Sequence, residues 1–334
     1  MTNRAVVSEA IIARTKWAGV TPAPLAGDAS NRIYHRLTDP ASKDTAVLMD
    51  ADPEKGEDVR PFVRVANYLR DLGLSAPEIL AEDEDFGFLL LEDLGDGLFA
   101  RVMADQPELE RPLYEAATDV LIHLHKSPVL DLDSYGPRMM TQRATMAFSH
   151  YATGITGADQ TDVQDRFSKL FQDVLLDTTG GPKVVVLRDY HAENLIWLPD
   201  RLGLARVGLL DFQDAMLGHP AYDLMSMLQD IRRTVPAGIE MTMINRYLQA
   251  TGVDEHAFRQ AYAVLSVQRN LRILGVFARL AVERGKPSYV DLMPATWDHL
   301  VRGLNHPALA SVSDLILKTL PKPTPANLQK LKDR

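Results

Sequence analysis

Two short apolar runs, Val184-Val185-Val186-Leu187 and Val207-Gly208-Leu209-Leu210, each release an aspartate within two residues of their end. Runs of this length and composition read as buried strands that deliver a polar side chain to a cleft. The first leads to Asp189, with Asn194 five residues later; the second leads to Asp211, seventeen residues beyond Asn194. Asp and Asn after a strand are also common turn residues, and one D-x-x-x-x-N match alone is unspecific. The second strand-borne aspartate, at a hairpin-like distance, is what removes most chance readings. Phosphoryl transfer from a nucleotide needs this set. One carboxylate orients and deprotonates the acceptor hydroxyl, while an amide oxygen and a second carboxylate hold the magnesium that neutralises the phosphates. The pattern assigns Asp189 the catalytic role and makes Asn194 and Asp211 Mg2+ ligands, since magnesium favours oxygen donors.

At 334 residues the chain exceeds one comfortable hydrophobic core, so two lobes are expected. It contains no cysteine, which excludes disulfides, thiolate metal sites and a cysteine nucleophile. A net charge of -9 disfavours nucleic acid as the main partner. The N-terminus lacks the basic-then-apolar pattern of a signal peptide, and no apolar run approaches the ~20 residues needed to span a bilayer. A cytoplasmic protein with neither a membrane nor an obligate protein partner is the expectation. No Walker-type loop, dinucleotide fingerprint, H-E-x-x-H or G-x-S-x-G occurs.

Residues 33–37 and 45–49 read as strands around a polar turn, and 86–91 as a strand buried on both faces. Helices are expected over 8–18, 60–72, 108–126, 143–151 and 162–176 from their apolar stripes. Beyond Asp211 the chain reads as helical: a helix entered at Pro220, a long one capped by Asp254 and running to about Arg284, then 288–305 and 308–320. Pro321-Lys322-Pro323-Thr324-Pro325 ends regular structure, so 321–334 is expected to be a flexible tail. His123 and His125 are two apart on a helix, cannot face one another, and read as structural.

Much of the chain resembles the aminoglycoside phosphotransferase and choline kinase-like superfamily. Gly27-Asp28-Ala29-Ser30-Asn31-Arg32-Ile33-Tyr34 looks like its nucleotide-covering hairpin, and Phe88-Leu89-Leu90-Leu91-Glu92-Asp93-Leu94-Gly95 like its adenine-binding strand and linker. Leu121-Ile122-His123-Leu124-His125 and His219-Pro220-Ala221-Tyr222-Asp223-Leu224 resemble the helices that flank the catalytic segment. The resemblance implies an α+β, protein-kinase-like two-lobed fold: a small sheet lobe with a helix over 1–95 and a larger, mostly helical lobe over 96–320. It implies ATP as phosphoryl donor, bound through Ser30, Asn31, Arg32, Glu92 and Leu94, and Asp223 as a brace for the catalytic loop. Gly-Asp-Ala-Ser, Val-Leu-Met-Asp-Ala, Arg-Asp-Tyr-His and Asp-Phe-Gln-Asp-Ala are most similar to the anomeric kinases of N-acetylmuramate and N-acetylglucosamine in peptidoglycan recycling.

Two departures stand out. Leu187 replaces the histidine that commonly braces the catalytic loop, leaving His191 as a candidate brace. Thr45-Ala46-Val47-Leu48-Met49-Asp50 carries no phosphate-binding lysine, and Arg32 or Arg36, on one strand face, are the candidates to replace it. The acceptor side is less constrained. From Ile239 to Leu320 nine Lys and Arg face seven acidic residues, a poor match to a polycation and a tolerable one to a neutral or mono-anionic sugar. The few aromatics there are too scattered for a choline cage. His191 and Glu193 in the loop, Asp214 after the second motif, and Arg269 and Asn270 in the polar trio with Gln268 are the candidate acceptor contacts. Three readings remain open: an amino-sugar kinase, a kinase of another hydroxyl acceptor such as an aminoglycoside or choline-like compound, and a catalytically inactive nucleotide-binding protein.

Overall fold

Residues 45–50 form the central strand of a five-stranded antiparallel sheet in the computed structural model, which describes residues 4–25 and 31–334. The strands are β1 (Ala23–Pro24), β2 (Ile33–Thr38), β3 (Thr45–Asp50), β4 (Ile79–Asp83) and β5 (Phe88–Glu92), in the order β1-β2-β3-β5-β4. β3 sets Val47 opposite Arg36 on β2 and Leu91 on β5. Strand alternation sends Ala46 and Leu48 to one face. There they join Leu37, Phe88, Leu90, Trp17 and the end of α1 (Arg4–Ile12) in an apolar cluster. The leading helix thus starts and stops earlier than its stripe suggested, and Trp17 reaches the core from the turns that follow it. α2 (Arg60–Asp71) buries Phe62, Val65, Ala66 and Leu69, the expected stripe. Each larger side chain contributes roughly 1.5–3 kcal/mol. α3 (Phe99–Asp105) and α4 (Glu110–Lys126) follow.

Residues 184–218 make two separate two-stranded ladders: β6 (Val184–Val186) with β9 (Met216–Gly218), and β7 (Leu195–Trp197) with β8 (Val207–Leu209). The chain divides into two compact units, Met1–Val120 with Ala192–Ala215, and Leu121–His191 with Met216–Arg334. This division differs from the expected single cut at residue 95: the first unit also takes α3, part of α4 and the β7–β8 hairpin. The cause is physical. Gly208 bridges Ser75, Ile196 bridges Leu98, and Arg201 donates to the Ser75 hydroxyl at 2.7 Å. The Phe212 ring lies 4.8 Å from that of Phe62 on α2.

The second unit is helical around β6 and β9. It comprises α5 (Pro137–Ala144), α6 (Thr153–Thr156), α7 (Thr161–Thr178), α8 (Ala221–Leu228), α9 (Ala237–Thr251), α10 (Glu255–Arg284), α11 (Met293–Leu304), α12 (Ala310–Thr319) and α13 (Pro325–Lys332). α10 starts where Asp254 accepts the Ala257 N–H at 2.8 Å and stops at Gly285, whose φ of 61° few other residues adopt. A Cβ at Gly275 would stand 2.3 Å from the Met146 backbone, so only glycine lets α10 pass that close. The segment 321–334, expected as a flexible tail, carries a helix. α13 is capped by Thr324 and buries Leu328 and Leu331, Tyr151 donates to the Pro321 carbonyl at 2.6 Å, and Lys332 pairs with Asp291. Pro325 stands in the first turn of that helix, a position proline favours, so the proline run introduces structure instead of ending it.

Candidate active site

Within the first unit a cavity of about 360 Å³ opens between the sheet, the linker after β5 and the β7–β8 hairpin. Val47, Leu91, Leu94, Ile196 and Leu210 give it apolar walls, and Asn194, Asp211 and Gln213 close one part of it. Glu92 and Leu94 of the adenine-binding expectation both line it. The Glu92 carboxylate is already engaged by Arg201 and Arg70. Arg36 also lines the cavity, held by Asp93 at 2.6 Å and by Asp96 at 2.9 Å. The Asp96 bond, followed by Asp93, raises the Arg36 pKa above its ordinary value against the opposing effect of burial. Arg32 instead pairs with Glu57 at 2.9 Å, and the Asn31 amide donates to the same carboxylate at 3.2 Å. Met49 is fully buried in β3. Ser30, with the rest of Gly27–Ser30, lies outside the described residues.

The hairpin β7–β8 brings Asn194 and Asp211 together. Leu210 N donates to the Asn194 carbonyl at 3.0 Å, and the Asn194 amide stands 3.4 Å from Asp211 Oδ2. Asp211 has a φ of 56°, a left-handed backbone unusual for a non-glycine residue, which is stored at functional sites at a cost of about 1–3 kcal/mol. Gln213, which no sequence argument singled out, donates to Asp211 Oδ1 at 2.7 Å. Its place in Asp-Phe-Gln-Asp was the available signal. An amide oxygen and a carboxylate suit a hard divalent cation. Among the described residues no three His, Cys, Asp or Glu cluster to hold a metal, so such an ion at this pair would take its remaining ligands from phosphates and water. Glu193 and Asp214 are both exposed.

In the second unit Asp189 follows β6 through a strained turn in which Arg188 has a φ of 71°. The brace is Asp223, in the first turn of α8. Its carboxylate accepts the Leu187 N–H at 2.6 Å and the Arg188 N–H at 2.9 Å. Complete burial pushes the Asp223 pKa up to about 7, against the two N–H donors that lower it. Asp223 thus supplies the support that Leu187 cannot. Burial works to raise the Asp189 pKa, but Arg272, Arg188, His191 and Arg269 outweigh it and hold the carboxyl below its ordinary 3.8. Burial lowers His191 to about 4 despite the attraction of Asp230, so this imidazole is neutral at pH 7.

The polar trio on α10 separates. Gln268 donates to Tyr135 and to the Met140 carbonyl at 2.9 Å, and Asn270 donates to the Ser266 carbonyl at 2.8 Å; both brace the helical core. Arg269 alone of the three acts on Asp189. Arg272 and Asp230 belong to the same cluster and were missed. Arg272 could have been found one turn beyond Arg269; Asp230 carries no sequence signal.

Residues 21–262 match the family model for the phosphotransferase enzyme family, APH, spanning well over half of the chain. The chain belongs to that family. It is 36% identical to an N-acetylmuramate/N-acetylglucosamine kinase of Caulobacter vibrioides, over 93% of this chain and 95% of the relative. It is 32% identical to the enzyme of the same name from Pseudomonas aeruginosa, over 92% and 91%. Among solved structures, the GDP complex of aminoglycoside 2'-phosphotransferase-IIIa superposes with a TM-score of 0.62 at 13% identity, covering 91% of this chain and 98% of that one. At that identity the likeness speaks for the fold alone, and it agrees with the α+β, kinase-like architecture. As a family member the protein is a phosphotransferase.

Proposed function

We propose that this phosphotransferase moves the terminal phosphoryl group of ATP to the anomeric hydroxyl of N-acetylmuramate, N-acetylglucosamine or both, in the cytoplasm. The observation that carries the reading is Asp189: one carboxylate kept ionised by Arg188, Arg269 and Arg272 in the second unit. A site so rich in guanidinium repels a polycation and tolerates a neutral or mono-anionic sugar. The names of the relatives at 36% and 32% identity point the same way.

In this reading the nucleotide base lies between Val47, Leu91, Leu94, Ile196 and Leu210, against the backbone of the 92–94 linker. Asn194 and Asp211 are the residues that would hold Mg2+, through an amide oxygen and a carboxylate. When bound, the ion offsets phosphate charge. Asp189 accepts a hydrogen bond from the acceptor hydroxyl and takes its proton as transfer proceeds. A carboxylate of depressed pKa is a weak base, and the anomeric hydroxyl is the most acidic on a reducing sugar, so the two are matched. Asp223 keeps the 187–188 turn in place while this occurs. With Asp189, Asn194 and Asp211 all present, an inactive nucleotide-binding protein is the weaker alternative.

The test sets each free sugar beside its anomeric methyl glycoside, with kanamycin as competitor. Turnover of the free sugars and none of the glycosides supports the reading. Equal turnover of a glycoside moves the phosphate to another position, and a win for kanamycin returns the enzyme to the antibiotic kinases.

A further inference from the structure

Three guanidiniums act on Asp189 through their charge. Arg188 precedes it in the chain, and Arg269 and Arg272 stand one turn apart on α10, so both point the same way. Asp230, just beyond α8, interacts with Arg269 and with His191. Arg269 is 3% exposed and Asp230 2% exposed, yet Arg269 Nη1 and Asp230 Oδ2 make no hydrogen bond. A buried charged group left short of a partner costs far more than an exposed one. Neighbouring polar atoms do not explain the arrangement, because Gln268 and Asn270 turn their amides to the helical core.

The charges do not balance either. Arg188, Arg232, Arg269 and Arg272 act in this cluster against Asp189, Asp230 and Asp223, which leaves cationic charge in excess where solvent is scarce. One carboxylate brought by the acceptor removes that excess and gives the planar Arg269 fork the oxygen it lacks. Asp230 Oδ2, an acceptor only, suits a hydroxyl or amide N–H on the same molecule.

Resting on the amino-sugar reading above, we propose that Arg269 binds a carboxylate arm of the acceptor sugar while Asp230 accepts a hydrogen bond from that sugar. N-Acetylmuramate carries such an arm as its lactyl ether and N-acetylglucosamine does not. Arg269 is then the residue that separates the two, and the acid is the better substrate.

The first experiment needs no variant. N-Acetylmuramate is compared with its neutral lactyl methylamide on the unaltered enzyme, and the acid should have a kcat/KM higher by about 30-fold, the size expected for one charge-assisted contact, carried mainly by KM. In the second, Arg269→Gln should bring acid and methylamide within about threefold of each other and shift the preference towards N-acetylglucosamine. Equal use of acid and methylamide by the unaltered enzyme overturns the inference and leaves the amino-sugar reading standing. Discrimination retained in Arg269→Gln removes Arg269 from the role. Failure to phosphorylate either sugar sinks the amino-sugar reading itself, a different result from both.

Discussion

The two units collect opposite charge at their polar sites. In the first, carboxylates dominate: Asp93 and Asp96 absorb Arg36, Glu92 absorbs Arg201, and Asp211 stands beside the amides of Asn194 and Gln213. In the second, guanidiniums dominate and Asp189 is the group they hold. Each excess describes what the site lacks. A carboxylate among amides is completed by a divalent cation, whereas arginines around one aspartate are completed by a weakly anionic molecule. The two sites differ in scaffold as well as in charge: one is a hairpin and the other a braced turn.

The largest effect expected from breaking this contrast is at Asp189. Asp189→Asn should cut kcat by about a hundredfold or more, the usual cost of losing a general base. Its ATP affinity by calorimetry should stay within about threefold, because the nucleotide cavity belongs to the other unit. A variant that keeps a tenth of the turnover would remove the base from the mechanism. Next come Asn194→Ala and Asp211→Ala. Either should raise the Mg2+ concentration for half-maximal rate by roughly tenfold or more, given that even indirect partners of a metal matter at that level. Metal titrations that overlay the unaltered enzyme would leave the first unit without its cation.

A third contrast is visible in stability against pH, and it belongs to the second unit. Burial holds His125 at about 3, and His191 and His219 at about 4, so the folded state keeps all three neutral where an unfolded chain, with histidines near 6.5, binds protons. Their contribution is present above pH 6.5 and is lost as pH falls towards 4. Asp223, raised from 3.8 to about 7, runs the other way, since the folded state keeps a proton that the unfolded chain releases in that window. Near pH 5 the three histidines outweigh the one aspartate, so unfolding takes up protons on balance and stability falls as pH falls. Urea midpoints between pH 6 and 4.5 measure this; a flat profile contradicts the buried neutral histidines.

The smallest effect expected is at Arg36. Its two carboxylate partners leave it little positive charge to offer a phosphate, so Arg36→Ala should weaken ATP and adenosine alike, by about fivefold at most, through loss of a surface-near ion-pair network. A loss confined to ATP would give Arg36 the phosphate contact left open by Met49.

Much of this was legible in the chain. The strands at 33–37 and 45–49 and the helix at 60–72 have strict periodicity and fall within a residue of their observed bounds. Asp223 was legible as a brace because a helix start aims a carboxylate back at the chain before it. Three features were hidden for physical reasons. The hairpin 192–215 joins the first unit through Ser75, Leu98 and Phe62, contacts across long separations that local pattern does not encode. α13 was masked by prolines that cap it. Of Gln268, Arg269 and Asn270, only the phase of α10 decides which one turns to Asp189, and a helix buried on many sides does not reveal its phase.

The most direct measurement is phosphorus NMR of the product formed from ATP and N-acetylmuramate. The expected result is one phosphate resonance coupled to the anomeric proton, with the reducing end lost. A phosphate coupled to the methylene protons of C6, with the reducing end intact, would contradict it.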